Sequence, residues 1–319
     1  MKKILSILCV LICIHITNTS FACDVCGCSL GGYYFGILPQ YTSHFIGLRY
    51  SQARFRAEMN HDSEYLENEY SEDTYRRIDW MGRYSFNKKL QLNFMVPYLM
   101  NDMNGSHQVV HSNGIGDPSL LLYYTFFNTG EELLKTWQHS LQAGGGMKFP
   151  LGNDEKTDKG TLINRNFQLG TGSFDFLLSS IYTIRRDKIG LNIESTYKIN
   201  TENKQDYRFG NQFNVSGNFF YWFETPGFTV LPFLGMYYEN AARHTEGKVT
   251  QINTGGTALF ASLGTQLYYR NFTLGLTLQQ PLRQDYYSEE TVEIESKSRF
   301  MVTLIYNFSL KRKDDLFKL

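Results

Sequence analysis

Three cysteines lie within six residues near the start of the chain: Cys23, Cys26 and Cys28. Thiolates at this spacing bind soft metal ions such as Cu(I) or Zn(II), and Gly27 lets the backbone turn tightly between two of them. A full zinc site needs a fourth ligand, for which Asp24 and His44 are available. An oxidising compartment would instead favour a disulfide between two of the thiols, so metal binding and a disulfide stay open as alternatives.

The residues before these cysteines predict an export signal over residues 1–22. Lys2 and Lys3 give a positively charged start, residues 4–14 are mostly apolar, and Ser20 and Ala22 form a cleavage site of small residues. Cleavage after Ala22 makes Cys23 the first residue of the mature chain. Acylation of Cys23 is therefore a third alternative for that thiol, although the preceding residues make a poor lipoprotein signal.

A second set of chemically active side chains recurs at alternate positions, each on the polar side of a segment whose other side is apolar or aromatic. The set is Arg77, Asp79, Arg83, Lys148, Asp175, Glu194, Lys198 and Arg299. Facing a lumen, such charges could select solutes by charge or could fill the interior with ion pairs. We favour ion pairs, because buried polar groups need partners. No pattern in the chain predicts catalytic residues.

The elements that position these charges are predicted to be β-strands. In residues 272–282, Phe272, Leu274, Leu276 and Leu278 share one face and small or polar residues share the other, which is the two-residue period of a strand. Twelve such segments are predicted, at 44–57, 74–87, 90–100, 116–128, 139–150, 172–185, 188–199, 211–223, 228–239, 257–269, 272–282 and 298–309. The sequence is also rich in aromatic residues (15%) and poor in proline (7 residues), as strands require.

Composition excludes two other classes of protein. The 31 basic residues balance 31 acidic ones, so no nucleic-acid-binding surface is expected. Mean hydropathy is −0.34, and no apolar stretch long enough for a membrane helix follows the export signal. A membrane protein of this composition must cross the bilayer with strands.

The connections between the predicted strands alternate between short turns and long polar loops. This asymmetry is typical of outer-membrane barrels, in which short turns face the periplasm. The last segment supports the same interpretation, because Phe300, Val302, Leu304, Tyr306 and Phe308 alternate on one face and end in an aromatic residue. The sequence therefore predicts an all-β fold, a 12-stranded antiparallel transmembrane β-barrel. A soluble β-sandwich or lipocalin-like barrel is the competing interpretation, and the apolar faces disfavour it.

Three short phrases carry a resemblance to a known family. They are Gly114–Leu120 (GIGDPSL), Lys148–Gly152 (KFPLG) and Leu169–Phe176 (LGTGSFDF). In order and spacing they resemble the family of outer-membrane channels associated with meta-pathway phenol degradation. The resemblance implies a barrel that passes small, often hydrophobic or aromatic compounds, and it implies no catalytic residues. A geometric reason for the glycines is positive φ where a loop re-enters a strand, at Gly114, Gly116, Gly170 and Gly172.

The predicted organisation has four parts: a signal peptide at 1–22, a cysteine-rich periplasmic or plug segment at 23–43, the barrel at 44–310 and a polar tail at 311–319. Tyr33, Tyr34 and Phe35 are the predicted plug residues of the second part. We expect a monomer in the outer membrane that contacts lipid and passes or binds a small solute. The alternatives are an envelope component that handles copper or zinc through Cys23, Cys26 and Cys28, and an outer-membrane enzyme.

Overall fold

The computed structural model describes residues 44–61, 68–106, 108–130 and 136–310. Within these ranges twelve long strands form a barrel, and they are numbered here in chain order. They are β1 (His44–Met59), β2 (Glu69–Ser85), β3 (Leu90–Gly105), β4 (Ser119–Asn128), β5 (Trp137–Lys148), β6 (Asp175–Arg186), β7 (Ile189–Ile199), β8 (Gln212–Tyr221), β9 (Phe228–Ala241), β10 (Gly256–Tyr269), β11 (Phe272–Tyr286) and β12 (Arg299–Phe308).

The strands form one closed antiparallel ring. Each strand pairs with its neighbours in the sequence, β1 pairs with β12, and β8 pairs with β9, so no barrel strand is left as an open edge. Closure satisfies the backbone hydrogen bonds of every strand, which a structure that spans a bilayer requires. The predicted 12-stranded antiparallel barrel is confirmed.

Short turns join the strands at one end of the barrel, which we call the short-turn end, and long connections join them at the other, the long-loop end. Residues 187–188 and 270–271 are two of the short turns, whereas residues 149–174 and 242–255 are two of the long connections. Short strands lie within the long connections or above the rim, including Val109–Ile115, which pairs with β3, and Val292–Ser296, which pairs with β1.

The outer face of the barrel is a band of exposed apolar side chains. Examples from around the ring are Ile46, Leu48, Trp80, Phe94, Leu122, Phe176, Leu178, Phe219, Leu234, Leu263, Leu276 and Leu304. Trp80 is 64% exposed, and Tyr182, Tyr197 and Phe308 share the outward side of their strands, as the alternation predicts. An unbroken apolar surface of this kind is stable against lipid chains rather than water.

Strands β1, β2, β3 and β11 extend beyond their predicted bounds at the long-loop end. There the outward positions change from apolar to charged, as at Arg54, Arg76 and Asp102. The ladder of backbone hydrogen bonds continues although the apolar alternation has stopped, so the sequence pattern marks the apolar band rather than the whole strand. None of the described residues forms a helix that is long and apolar enough to cross a membrane.

Candidate functional site

The inner face of the barrel holds a buried ion-pair network at mid-height. Nε and Nη2 of Arg49 donate to Oδ2 of Asp79 at 2.9 Å and 2.7 Å, and Arg77 donates to the other carboxylate oxygen. Arg49 is 1% exposed and Asp79 is fully buried. Arg49 also acts electrostatically on Glu194, so two cations face two carboxylates on this part of the wall.

A second buried pair lies nearer the long-loop end. Arg299 and Glu239 form two parallel hydrogen bonds of 2.8 Å each, the bidentate geometry that guanidinium and carboxylate groups favour. The guanidinium carbon of Arg299 also lies 4.1 Å from the ring centroid of Phe260 and 5.5 Å from that of Phe55. The ion pair therefore lies against two aromatic rings, and cation–π attraction of the guanidinium to these rings adds to the ion pair.

A third cluster joins two strands, β5 and β6, to two connecting segments. Nζ of Lys148 lies 2.7 Å from Oδ2 of Asp117 and 2.9 Å from Oδ2 of Asp175, and it also donates to the hydroxyl of Thr171. Asp117 accepts backbone hydrogen bonds from Gly152 and Thr171, each of 2.9 Å. Asp117, Lys148, Thr171 and Asp175 are called the loop clamp below, because together they fix both ends of the connection from β5 to β6.

The loop clamp brings together the three glycine-containing phrases of the sequence. Gly114 (φ 151°) and Gly172 (φ 70°) have the expected positive φ. The same expectation is wrong for Gly116 and Gly170, which do not have positive φ. Their reason is close packing: a Cβ atom on Gly170 would lie 2.4 Å from the carbonyl oxygen of Gly152, and one on Gly116 would lie 3.0 Å from that of Leu169.

The connection at 149–174 folds against the inner wall rather than outward. Phe167 lies at its short 3-10 turn (Arg165–Phe167), is fully buried, and packs its ring 5.1 Å from that of Tyr75. The carbonyl of Phe167 accepts a 2.5 Å hydrogen bond from the hydroxyl of Ser112. The side-chain amide of Gln168 bonds the backbone of Lys156 in both directions, at 2.9 Å and 3.0 Å, and stabilises the loop internally.

Phe167 is part of an apolar cluster at the long-loop end of the lumen, called the mouth cluster below. Its buried members are Ala53, Phe55, Tyr75, Met103, Val110, Ile163, Phe167, Tyr237, Ala258, Phe260 and Tyr286. They come from β1, β2, β3, β9, β10 and β11, from the strand Val109–Ile115, and from the inserted loop. The lumen therefore presents aromatic and aliphatic side chains at its mouth and charges further down.

A cavity lies at mid-height below the mouth cluster, with about 510 Å³ of unfilled space measured out to the open lumen. Polar side chains of β7, β8, β10 and β11 line it, and Phe233 and Tyr237 supply two aromatic rings. Tyr237 also packs on Phe260, with ring centroids 6.2 Å apart, so one side chain belongs to both the mouth cluster and the cavity wall.

Beside the inserted loop, two further loops meet through a histidine, and the guanidinium of Arg165 in the inserted loop lies 5.0 Å from the ring centroid of Tyr207. Nδ1 of His244 and the hydroxyl of Tyr207 share a hydrogen bond of 2.8 Å, and the ring of Phe209 lies 4.9 Å from that of His244. His244 is 1% exposed. Burial, together with the nearby positive charge of Lys198, lowers the pKa of His244 to about 4.

The eight charged residues that the sequence predicts to face the lumen lie at inward positions of the barrel strands. Asp79, Arg83, Lys148, Asp175, Glu194 and Arg299 are buried on inward positions, and Arg77 and Lys198 are half-buried there. Arg83 donates to Asn93 at 3.3 Å and lies over the ring of Phe45 near the short-turn end. The structure divides these side chains among several clusters rather than one site.

The predicted cysteine and plug residues, Cys23, Cys26, Cys28, Tyr33, Tyr34 and Phe35, lie outside the described residues. Among the described residues, no group of three or more His, Cys, Asp or Glu side chains is arranged to hold a metal ion. Metal binding by the three cysteines and a plug role for the aromatic segment stay predictions.

Four lumen residues were missed by sequence reasoning: Arg49, Asp117, Phe167 and Glu239. Arg49 and Glu239 could have been found, because each sits at an inward position of an alternating strand. Asp117 and Phe167 lie between strands, where no periodicity shows which way a side chain points. The motif phrase that contains Asp117 was the available signal for it.

A family model described as "Putative MetA-pathway of phenol degradation" matches residues 66–279. Among solved structures, an outer membrane channel from Pseudomonas putida F1 is 13% identical with a TM-score of 0.60, covering 87% of this chain and 99% of that one. The CymD monoaromatic hydrocarbon channel is 11% identical with a TM-score of 0.37, covering 86% and 90%. No curated protein matches the chain.

Proposed function

Because the chain belongs to the MetA-pathway phenol-degradation family and folds as an outer-membrane barrel, we propose that it is a passive channel for small hydrophobic or aromatic solutes. The P. putida structure of the same fold is itself named an outer membrane channel. The long-loop end faces the outside of the cell and the short-turn end faces the periplasm. One copy of the chain forms a closed barrel with its own lumen, and we propose that it acts as a monomer.

The mouth cluster is the observation that carries this proposal. A water-filled pore for polar solutes has a polar lining along its length. Here Phe55, Tyr75, Phe167, Phe260 and Tyr286 are buried in the lumen itself, at the end that a solute from outside meets first. Aromatic side chains attract apolar solutes and exclude ions, so the entrance selects hydrophobic molecules before the charged wall is reached.

The family and the fold support a transport barrel over the metal-handling alternative, and they favour a channel over an enzyme. The inner charges support the same choice. Asp79, Glu239 and Asp117 each make short contacts with a cation, Arg49, Arg299 and Lys148 respectively. Asp79 joins adjacent strands, Glu239 joins β9 to β12 and Asp117 holds a connection, so these carboxylates stabilise the barrel. Groups engaged in this way are poorly placed to act as general acids or bases.

The test is solute uptake by proteoliposomes that contain the full-length mature protein. We expect faster entry of a hydrophobic aromatic solute of limited membrane permeability than in protein-free liposomes, and low conductance of KCl in planar bilayers. An ion-conducting pore without aromatic uptake would contradict the proposal. The matched control is Phe86→Ala, which changes an exposed ring in a short turn and leaves the lumen unaltered.

A further inference from the structure

A row of basic side chains crosses the outer face of the barrel at the long-loop end. Arg76 lies on β2, Arg54 on β1, Lys297 immediately before β12 and Arg283 on β11, and these segments are neighbours in the ring. The backbone N–H of Lys297 donates to the carbonyl of Arg54 at 2.8 Å, so the row continues across the junction of β1 with β12. Arg54, Lys297 and Arg283 are exposed, and Arg76 is half-buried. These four residues are called the basic row below.

The basic row lies at the edge of the apolar band that is nearest the long loops. Next to it, within the band, the rings of Tyr50 and Phe300 pack on the outward side of β1 and β12, with their centroids 5.6 Å apart. Aromatic rings are favoured at the interface between hydrocarbon and water. Arg54 lies ten residues along β1 from His44, which corresponds to about 25 Å at the usual rise and tilt of barrel strands, the height of the apolar band. The basic row is therefore level with the headgroups of the outer leaflet.

The charge of this outer face changes with height. Further from the membrane than the basic row, five acidic side chains occupy outward positions: Glu58, Glu72, Asp285, Glu293 and Glu295. Arg56, at the same level, pairs with Glu58 at 2.5 Å and with Glu72 at 3.6 Å. Among the described residues of this face, unpaired positive charge is therefore confined to the level of the row. A long polyanion such as a nucleic acid needs an extended basic surface and does not fit, whereas a phosphate group at headgroup level does.

Two members of the basic row have no carboxylate partner. Arg54 and Arg283 form no ion pair with any described residue, whereas the other two members each pair with an acidic neighbour. A guanidinium presents a planar fork of N–H donors that fits two oxygens of one phosphate. Neighbouring strands lie about 4.8 Å apart, so the Cα atoms of Arg54 and Arg283, with the segment of Lys297 between them, are about 10 Å apart. The two arginines can therefore bind two phosphates of one ligand.

The lipid that supplies two phosphates at this level is lipopolysaccharide, because its lipid A anchor is a disaccharide with a phosphate near each end. Its acyl chains would lie along the apolar band, which includes Leu278 and Leu304. Phosphatidylglycerol has a single phosphate and satisfies only one of the two arginines. We propose that the basic row binds lipopolysaccharide, with Arg54 and Arg283 each holding one phosphate of lipid A. This site is additional to the proposed channel function and depends only on the orientation given there, with the long-loop end outside.

The experiment measures lipid binding to the full-length mature protein in detergent micelles by native mass spectrometry. The probes are diphosphorylated lipid A, its monophosphorylated form, phosphatidylglycerol and inorganic phosphate. A hydrogen-bonded contact between charged groups corresponds to about tenfold in affinity, so we expect diphosphorylated lipid A to bind about tenfold more tightly than the monophosphorylated form. Phosphatidylglycerol should bind no more tightly than the monophosphorylated form, and inorganic phosphate at equal concentration should not displace lipid A.

Variants test whether the two arginines hold the phosphates. Arg54→Gln combined with Arg283→Gln should abolish the preference for the second phosphate. Arg54→Lys combined with Arg283→Lys keeps the charges without the planar fork and should retain part of the preference. The matched control is Arg186→Gln combined with Arg270→Gln, which removes two exposed arginines at the short-turn end and should leave lipid A binding unchanged. Because all four side chains are exposed, none of these variants should lower the urea concentration at which the barrel unfolds.

Equal affinities of the unaltered protein for lipid A and phosphatidylglycerol would overturn the proposal, as would an unchanged preference in the glutamine variant of the basic row. An equal loss in the short-turn control would overturn it in favour of general attraction between cations and anionic lipid. Displacement of lipid A by inorganic phosphate would overturn it in favour of a free-anion site. Aromatic uptake by proteoliposomes without lipopolysaccharide should be the same in the glutamine variant as in the unaltered protein. Failure of uptake in the unaltered protein would contradict the channel proposal instead and would not affect the lipid site.

Discussion

The mouth cluster and the ion pairs below it occupy one lumen but are held in different ways. Arg49 with Asp79, and Arg299 with Glu239, join side chains that are fixed on barrel strands. Two mouth residues, Ile163 and Phe167, instead come from a connecting loop that the loop clamp fastens to the wall. Both ion pairs are formed by residues of the barrel strands, whereas part of the mouth cluster is supplied by a connecting loop.

Because of this difference, we expect the ion pairs to determine the stability of the barrel and the loop-borne mouth residues to determine which solutes enter. Removing a strand-borne charge leaves its partner buried and weakens the whole barrel. Removing a loop-borne ring opens space at the entrance while the hydrogen-bonded ring of strands stays intact. Variants of the two regions should therefore change different measured quantities, the free energy of unfolding in one case and the rate of solute uptake in the other.

The largest effect on stability is expected for Arg299→Met. Among the described residues, Arg299 is the cation that pairs with Glu239, which is 1% exposed, so the variant leaves a buried carboxylate unpaired at a cost of about 3–5 kcal/mol. Urea unfolding in phospholipid vesicles measures this loss in the free energy of unfolding. Arg49→Met should cost less, because Arg77 still pairs with Asp79. Equal losses in both variants would show that the strand-borne pairs do not act as described.

Phe167→Ala should change uptake more than any single strand-borne variant does. The ring is fully buried against Tyr75, and such a truncation costs about 3 kcal/mol, the lower end of the usual range, because the loop can rearrange. The cost falls on loop docking, so hydrogen exchange in residues 149–174 should rise and aromatic uptake should increase several-fold. Leu162→Ala is the control, since Leu162 is an exposed residue of the same loop. Unfolding of the barrel strands at lower urea would contradict the separation.

The sequence was sufficient for the barrel because the lipid imposes its pattern on every strand. Leu274, Leu276 and Leu278 had to face outward once Gln279 faced inward, and a shift of one residue would have reversed all of them. The same alternation placed Asp79, Asp175 and Glu194 on the inner wall. The strand ends were less predictable, since Arg54 and Arg76 lie above the apolar band on strands that continue.

The mouth could not be predicted in this way because loops have no period. Nothing in residues 149–174 distinguishes Phe167, which fills the lumen, from Leu151, which is 72% exposed. The three family motifs could be recognised in the sequence, but the sequence did not show that they meet in one cluster. Asp117, Gly152 and Thr171 are far apart in sequence and meet only because β4, β5 and β6 are neighbours in the ring.

Asp117→Asn tests the loop clamp with a smaller expected effect. The amide keeps one acceptor for Gly152 or Thr171 but loses the ion pair with Lys148, which still has Asp175. A cost of about 1–3 kcal/mol to loop docking is expected, seen as faster hydrogen exchange in residues 149–174 and a modest rise in uptake. The matched control is Asp187→Asn in a short turn at the other end. Unchanged exchange would mean that the glycine contacts alone hold the loop.

Acidification should loosen the loop at residues 242–255, where His244 is buried. Its pKa of about 4 in the folded loops lies below the ordinary value of 6.5, so between these values the undocked loops bind a proton that the docked loops do not. Docking of residues 242–255 is therefore strongest above about pH 6.5 and weakens as the pH falls towards 4. Hydrogen exchange at pH 7 and pH 5, corrected for intrinsic rates, measures the change.

His244→Gln removes the titrating group and should abolish this pH dependence, although the lost contact with Tyr207 raises exchange at both pH values. Exchange in residues 149–174 is compared with it, because the loop clamp contains no histidine whereas Arg165 of the same loop contacts Tyr207, the partner of His244. An equal rise in both loops at pH 5 would mean that the mouth loosens as one unit. A rise confined to residues 242–255 would show that the two loops dock independently, although Tyr207 lies in contact with both.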